Sequence, residues 1–227
     1  MFVPFIALCK FHHYNPFVLN EIYARLDRFY GNLKWWPAET PFEVIIGAIL
    51  TQNTAWTNVE KAIGALKRAG LLTIKGLNRM PEAQLAVFIR PSGYYHQKAR
   101  KIKAFLAFLD SCYKGSLSRM ARTDAAILRE QLLALHGIGP ETADCILLYA
   151  MGKPVFVVDT YTRRVLARHG LCAPDISYER LQQRIEAEVS RDVRVYNQFH
   201  ALLVQIGKDF CRKAPRCAGC PLEPLLR

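Results

Sequence analysis

The segment Leu135-His-Gly-Ile-Gly-Pro-Glu-Thr-Ala143 constrains this chain more than any other. Apolar residues at helical spacing precede it at Leu128, Leu132 and Leu135 and follow it at Ala143, Ile146, Leu147 and Ala150. One helix, from about Thr123, is expected to end at Gly137, and a second to begin near Pro140. Proline suits a first helical turn, and the two glycines permit a tight reversal. The same spacing recurs at Val44, Ile45, Ala48 and Ile49, and at Phe199, Leu202, Leu203 and Ile206. Pro and Gly punctuate the intervals. The one strand-like run, Val155 to Val158, is too short and isolated to build a sheet. The pattern predicts an all-α protein of about ten short helices.

Charge narrows the partners. Across 227 residues, 31 Lys and Arg oppose 19 Asp and Glu, a net +12. That excess points to a polyanion, nucleic acid first and an anionic membrane second. The longest apolar run, Val44 to Leu50, falls short of the ~18 residues of a spanning helix, which disfavours the membrane. The first ten residues carry no signal-peptide pattern, and the seven cysteines do not look like a secreted disulfide framework. A cytoplasmic chain is expected.

The hairpin would expose the N–H groups of Gly137, Gly139 and the following helix terminus, donors able to hold a phosphate without reading sequence. The same motif also serves as a plain structural turn. Twenty residues past Gly139, in Lys153-Pro-Val-Phe-Val-Val-Asp159-Thr-Tyr-Thr-Arg-Arg164, an aspartate ends a hydrophobic run and opens a helix. Asp159 can be an N-cap, and it can also be a cleft carboxylate that stabilises a cationic sugar or activates water. A capping position would fix the side chain for the second role.

LHGIGPETA followed by VVDTYTRR resembles the helix-hairpin-helix plus Gly/Pro-Asp signature of the endonuclease III superfamily of DNA glycosylases, over about Trp35 to Cys220. The resemblance implies two helical lobes with a DNA cleft between them, one of residues 37–153 and one of residues 1–36 plus 154–227. It also implies a monomer that flips a base out of damaged double-stranded DNA, with Asp159 as the essential carboxylate.

Members that also cleave the backbone resemble one another in a lysine two residues after the second hairpin glycine. Its amine forms the Schiff base that β-elimination needs. Here that position is Glu141, which cannot form an imine, so a monofunctional enzyme using water is expected. Lys34-Trp35-Trp36-Pro37, the stretch Phe42 to Trp56, and Arg90-Pro-Ser-Gly-Tyr-Tyr-His-Gln-Lys98 are similar to segments of the bacterial 3-methyladenine DNA glycosylase III branch. That similarity implies a base pocket from Trp35, Trp36, Trp56 and Glu141, with Trp35 and Trp56 as its walls. A cationic alkylpurine is already a good leaving group and needs aromatic faces more than a strong acid. Taken singly, each tryptophan is equally a core residue. In Thr51-Gln52-Asn53-Thr54, the resemblance makes Gln52 and Asn53 the fillers of the gap left by the base, while Thr51 and Thr54 also suit helix caps.

For DNA contact the candidates are Gly137, Ile138, Gly139 and Thr142 of the hairpin. The basic runs Lys98, Arg100, Lys101, Lys103 and Arg163, Arg164, Arg168 join them as phosphate contacts or as solvated helix faces. The six histidines, His200 among them, show no metal-ligand spacing and read as surface or packing residues.

Cys211, Cys217 and Cys220 resemble the iron–sulfur loop of endonuclease III, which implies a [4Fe–4S] cluster. The family's fourth Cys is replaced by Leu226, leaving a distant ligand such as Cys9, a three-Cys zinc site, or no metal. The leading expectation is a monofunctional glycosylase for alkylated purines in base-excision repair. Second stands an endonuclease III-like glycosylase/lyase for oxidised pyrimidines, and third a non-catalytic helix-hairpin-helix DNA-binding protein.

Overall fold

Half of the described α-helices, and the one opened by Asp159, are started by a side chain that satisfies their free N–H groups. In the computed structural model, which describes residues 18–226, Thr40, Thr73, Ser116, Asp124, Ser177 and Asp192 each accept a backbone N–H from the turn that follows. Such a cap contributes about 1 kcal/mol to helix stability. These residues open α2 (Pro41–Leu50), α4 (Ile74–Arg79), α7 (Leu117–Met120), α8 (Ala125–Leu133), α11 (Tyr178–Glu188) and α12 (Val193–Asp209). The remaining α-helices are α1 (Val18–Tyr30), α3 (Trp56–Arg68), α5 (Glu82–Phe88), α6 (Tyr95–Tyr113), α9 (Pro140–Cys145) and α10 (Thr160–Arg168). The described residues contain no strand, so the all-α expectation holds, with twelve α-helices among them rather than about ten.

The helices gather into two clusters. α2 is buried along its whole length from Phe42 to Leu50, and Glu43 is the one charged residue in that apolar stretch. Around it pack α3, α6 and α9, with α4, α5 and α7 against α6 or its neighbours. In the other cluster α1 and α10 pack on α12, and α11 packs on α1. A π-turn, Ile146–Ala150, continues α9 and touches both α2 and α12, joining the clusters beside the hairpin.

The hairpin is tighter in need than its two glycines suggest. Helix α8 stops at Leu133, and only Gly137 lies in the left-handed region, at φ +78°; Gly139 is extended at φ −94°. At Gly137 a Cβ would also sit 2.3 Å from Lys101 Cε, so a side chain there would have to displace the lysine as well as strain the backbone.

Val155–Val158 is extended and unpaired, and side chains of α11 replace the missing sheet partner. Phe156 N–H donates to Glu186 Oε1 at 2.7 Å, Gln182 Nε2 donates to Phe156 O at 2.6 Å, and Val158 N–H donates to Tyr178 Oη at 3.3 Å. Tyr178 and Gln182 in turn donate to Asp144 Oδ2 at 2.9 and 2.8 Å. Asp144 is fully buried and receives Arg129 from α8 in a two-pronged pair at 2.7 and 3.0 Å. One carboxylate thus ties both hairpin helices to α11 and, through α11, to the segment that delivers Asp159. No helix of the described residues is long and apolar enough to cross a membrane.

Candidate active site

Asp159 stands at the end of that extended segment as the N-cap of α10, its Oδ1 accepting Thr162 N–H at 2.7 Å. Its side chain is 12% exposed. Burial alone would push the carboxyl up, but the His200 imidazole and the Thr162 N–H outweigh it and hold Asp159 below the usual carboxylate range. His200, from the buried face of α12, brings Nε2 to 3.7 Å from Asp159 Oδ2, while its Nδ1 shares a hydrogen bond with Tyr149 Oη of the π-turn. Burial, with the charges of Cys145 and Asp159, drives the Tyr149 hydroxyl well above its ordinary value, so it keeps its proton. Glu141, in the first turn of α9, moves the other way from Asp159. Burial and the negative charge of Asp159 raise it, against the charges of His200 and Arg163. Two carboxyl groups that sense each other therefore differ in protonation tendency, an arrangement suited to dividing acid and anion roles.

The tryptophans meet in a different pairing from the one expected. Trp36, not Trp35, contacts Trp56, with ring centroids 5.2 Å apart at 87°, and Trp36 also lies 5.1 Å from the Tyr149 ring. Trp35 sits 6.4 Å from Trp36 and under the Lys208 ammonium at 5.2 Å, so it does not face Trp56 as a second wall. Beside Trp36 and Trp56 opens a cavity of about 190 Å³, completed by Pro37, Glu43, Gly47, Glu60, Ile63, Gly64 and Lys67. Trp56 Nε1 donates to Glu60 Oε1 at 2.9 Å, and Glu43 pairs with Lys67 at 2.8 Å.

The loop after α2 is joined to the hairpin. Gln52 Nε2 donates to Gly137 O at 3.0 Å and Thr142 Oγ1 at 2.9 Å, and Gln52 Oε1 accepts from Lys101 Nζ. Gln52 and Thr142 are thus engaged with each other, whereas Asn53 is exposed on left-handed backbone at φ +54°. Gly137 and Gly139 are exposed. Ile138 is buried, with its N–H turned inward to Leu135 O at 3.1 Å.

Most of the basic runs are committed inside the molecule. Lys98 is 1% exposed and donates to Leu50 O at 2.8 Å and Ser92 O at 2.6 Å, which satisfies the end of α2 and leaves no ammonium for a phosphate. Lys103 binds the carbonyls of Leu77, Asn78 and Met80 at the end of α4. Arg164 donates to Cys211 O and Gly207 O, and Arg168 to Cys211 Sγ and the Lys213 carbonyl. Arg100 stays on the surface, and Arg163 is half-buried near Glu141, its Nε without a hydrogen-bond partner. Spacing alone could not separate a helix-capping lysine from a solvated one.

Lys98 carries a measurable consequence. Burial, then the neighbouring Lys101 charge, lowers it to about 8. The unfolded lysine holds its proton to ~10.4. Between those values the unfolded state binds more protons, so stability rises with pH there. In urea titrations from pH 7 to 10.5, the stability of the wild type relative to Lys98→Met should climb by on the order of 3 kcal/mol. A flat difference would place the ammonium in solvent.

The cysteine tail corrects the cofactor expectation. Among the described residues, no group of three or more His, Cys, Asp or Glu side chains is arranged to hold a metal ion. The Cys211 thiol is buried and accepts from the Arg168 guanidinium at 3.3 Å, and the fourth family position is Leu226. Arg164 and Arg168 brace the loop by its carbonyls. These three cysteines therefore fit neither an iron–sulfur cluster nor zinc. Cys9, the distant ligand considered, lies outside the described residues.

With this geometry in place, comparison with known proteins gives the family. The profile of the HhH-GPD superfamily base excision DNA repair proteins matches residues 46–191, more than half of the chain. A Methanocaldococcus jannaschii protein provisionally named DNA repair glycosylase MJ1434 is 43% identical over 208 residues, covering 91% of this chain and 94% of the relative. Endonuclease III of Bacillus subtilis is 28% identical over 195 residues, covering 82% and 81%. The crystal structure of H. pylori 3-methyladenine DNA glycosylase bound to 1,N6-ethenoadenine superposes with TM-score 0.76 at 29% identity, covering 86% of this chain and 98% of the other. A non-covalent endonuclease III–DNA complex shares the fold, with TM-score 0.81 at 24% identity over 95% and 96%. The chain belongs to the HhH-GPD superfamily of base excision DNA repair proteins. It is a base-excision-repair DNA glycosylase of that superfamily. Endonuclease III names recur among its relatives and weigh at least as much for the reading placed second from sequence as for the one placed first.

Proposed function

We propose that this glycosylase is monofunctional and acts, as a cytoplasmic monomer, on damaged double-stranded DNA, releasing alkylated purines such as 3-methyladenine. The observation that carries this reading is that the hairpin residue sensing Asp159 is a carboxylic acid, Glu141, rather than an amine. The base–sugar C–N bond breaks with its electron pair leaving on the purine, which neutralises an alkylated, cationic base. Asp159 faces the developing oxocarbenium ion, and water adds to C1′ while its proton passes to the carboxylate and on to solvent. The cavity at Trp36 and Trp56, with Glu43 and Glu60 against Lys67, offers a cationic ring aromatic surface and carboxylates. Exposed Gly137 and Gly139 offer N–H groups to a phosphate, and exposed Asn53 offers a polar side chain to an unpaired base.

The endonuclease III relatives favour a second reading, a glycosylase/lyase for oxidised pyrimidines. Borohydride trapping separates the two. The wild type should release methylpurine from methylated duplex, nick it only after alkali, and form no trapped adduct. Glu141→Lys, which sets an amine beside Asp159, should become trappable. Direct nicking and an adduct from the wild type on duplex containing oxidised pyrimidine would replace the first reading with the second.

A further inference from the structure

We propose that His200 is a positioning residue for Asp159, orienting Oδ2 through Nε2–H, with the Tyr149 hydroxyl fixing which imidazole nitrogen carries the proton. This rests on the reading of Asp159 as the reacting carboxylate.

His200 is 4% exposed, and its Nε2 is buried with no hydrogen-bond partner. Burying an imidazole nitrogen unsatisfied costs free energy that an apolar side chain at the same place would not incur. The acceptor nearest to hand is Asp159 Oδ2 at 3.7 Å, a gap that a shift of under about 1 Å closes to hydrogen-bond length. Bonds of this kind often run long without substrate and tighten around it. Tyr149 keeps its hydroxyl proton and can donate it to Nδ1, which leaves Nε2 as the protonated nitrogen pointing at the carboxylate. With Oδ1 already taken by Thr162 N–H, the second contact fixes the rotation of the carboxylate about its own bond.

Three separate segments converge here. His200 comes from α12, Tyr149 from the π-turn and Asp159 from the head of α10. Single π-turns inserted in helices are frequent at functional sites, and this one aims Tyr149 at the ring. The other charged groups facing this point are Glu141 from α9, which senses both Asp159 and His200, and Arg163 of α10, which senses Glu141. From α1, Asp27 is engaged by Gln198, Tyr30 by Asp209, and Tyr23 packs on Phe199, so none is committed to His200. On α12 itself Lys208 lies over Trp35. His200 is therefore the cation-capable partner on the Oδ2 side of Asp159, opposing the charge of Glu141.

The test is single-turnover base release from pH 3.5 to 9, on methylated duplex and on duplex with oxidised pyrimidine. It compares the wild type with His200→Leu, His200→Gln, Tyr149→Phe and Asp159→Asn. His200→Leu should move the acid limb up by about one pH unit, a loss of about tenfold below it. His200→Gln, which keeps an N–H donor, should recover most of that loss, and Tyr149→Phe should fall between. Affinity for an abasic-analogue duplex should not change. A His200→Leu profile that overlays the wild type, or a loss equal at every pH that Gln does not relieve, overturns the proposal. If Asp159→Asn is inactive while His200→Leu is normal, this inference alone fails. If Asp159→Asn is fully active, the reading of Asp159 fails. Side-chain 15N NMR decides independently of substrate: the His200 Nε2 signal should shift in Asp159→Asn, and an unchanged signal overturns the contact.

Discussion

Asp159→Asn should lower single-turnover base release by about 10²–10⁴-fold, the range spanned by removing a positioned acid–base group. The size of the fall can be assigned to chemistry because the substitution spares the scaffold. Asn is as good an N-cap as Asp, and its amide oxygen can still accept Thr162 N–H, so α10 should start as before. What disappears is the charge. An amide cannot balance an oxocarbenium ion or take the proton of the attacking water. Thermal unfolding of the variant should shift by no more than a few degrees, and affinity for an abasic-analogue duplex should persist. Retention of full activity would move the catalytic group elsewhere.

The largest stability effect should come from a residue that touches no substrate. Asp144→Ala removes the acceptor of Arg129, Tyr178 and Gln182 together and leaves their donors facing one another in the interior. Breaking one side of a buried ion pair costs about 3–5 kcal/mol. In urea unfolding the midpoint should fall accordingly, and Arg129→Ala should show a similar loss. The double variant should lose less than the sum of the two, because each single change has already broken the same pair. Activity should fall with stability in Asp144→Ala, since Tyr178 and Gln182 also hold Val158 and Phe156 on the approach to Asp159. An Asp144→Ala protein as stable as the wild type would mean that water replaces the carboxylate.

What sequence could foretell divides along a physical line. The hairpin, the helical spacing and the capping role of Asp159 are local: a few neighbouring residues decide each, and all three stand in the structure. The expected two-lobed all-helical architecture stands with them. His200 was read as a packing residue because its helix spacing gives no hint of Tyr149 and Asp159, 51 and 41 positions away. Asp144 went unread for the same reason, as a charged residue inside an apolar run whose three partners come from two other helices. The basic runs misled because the carbonyls that capture Lys98, Lys103, Arg164 and Arg168 belong to distant helix ends, which charge counting does not register. Residue spacing does not show that Trp36 rather than Trp35 packs on Trp56, since that depends on how the chain turns into α2. The cysteine loop keeps three residues of a ligand pattern, while Cys211 is engaged by Arg168 and no metal-holding group forms among the described residues.

The Gln52 amide also has a consequence over evolutionary time. It uses its donor side on Gly137 and Thr142 and its acceptor side on Lys101, whose stem lies where a side chain at position 137 would go. Positions 52, 101, 137 and 142 therefore cannot drift independently. A descendant that lost the amide would strand a half-buried ammonium, and one that gained a side chain at 137 would have to shorten or move 101. Pairs of substitutions at these four sites should be inherited together, so the hairpin and the loop after α2 change as one heritable block.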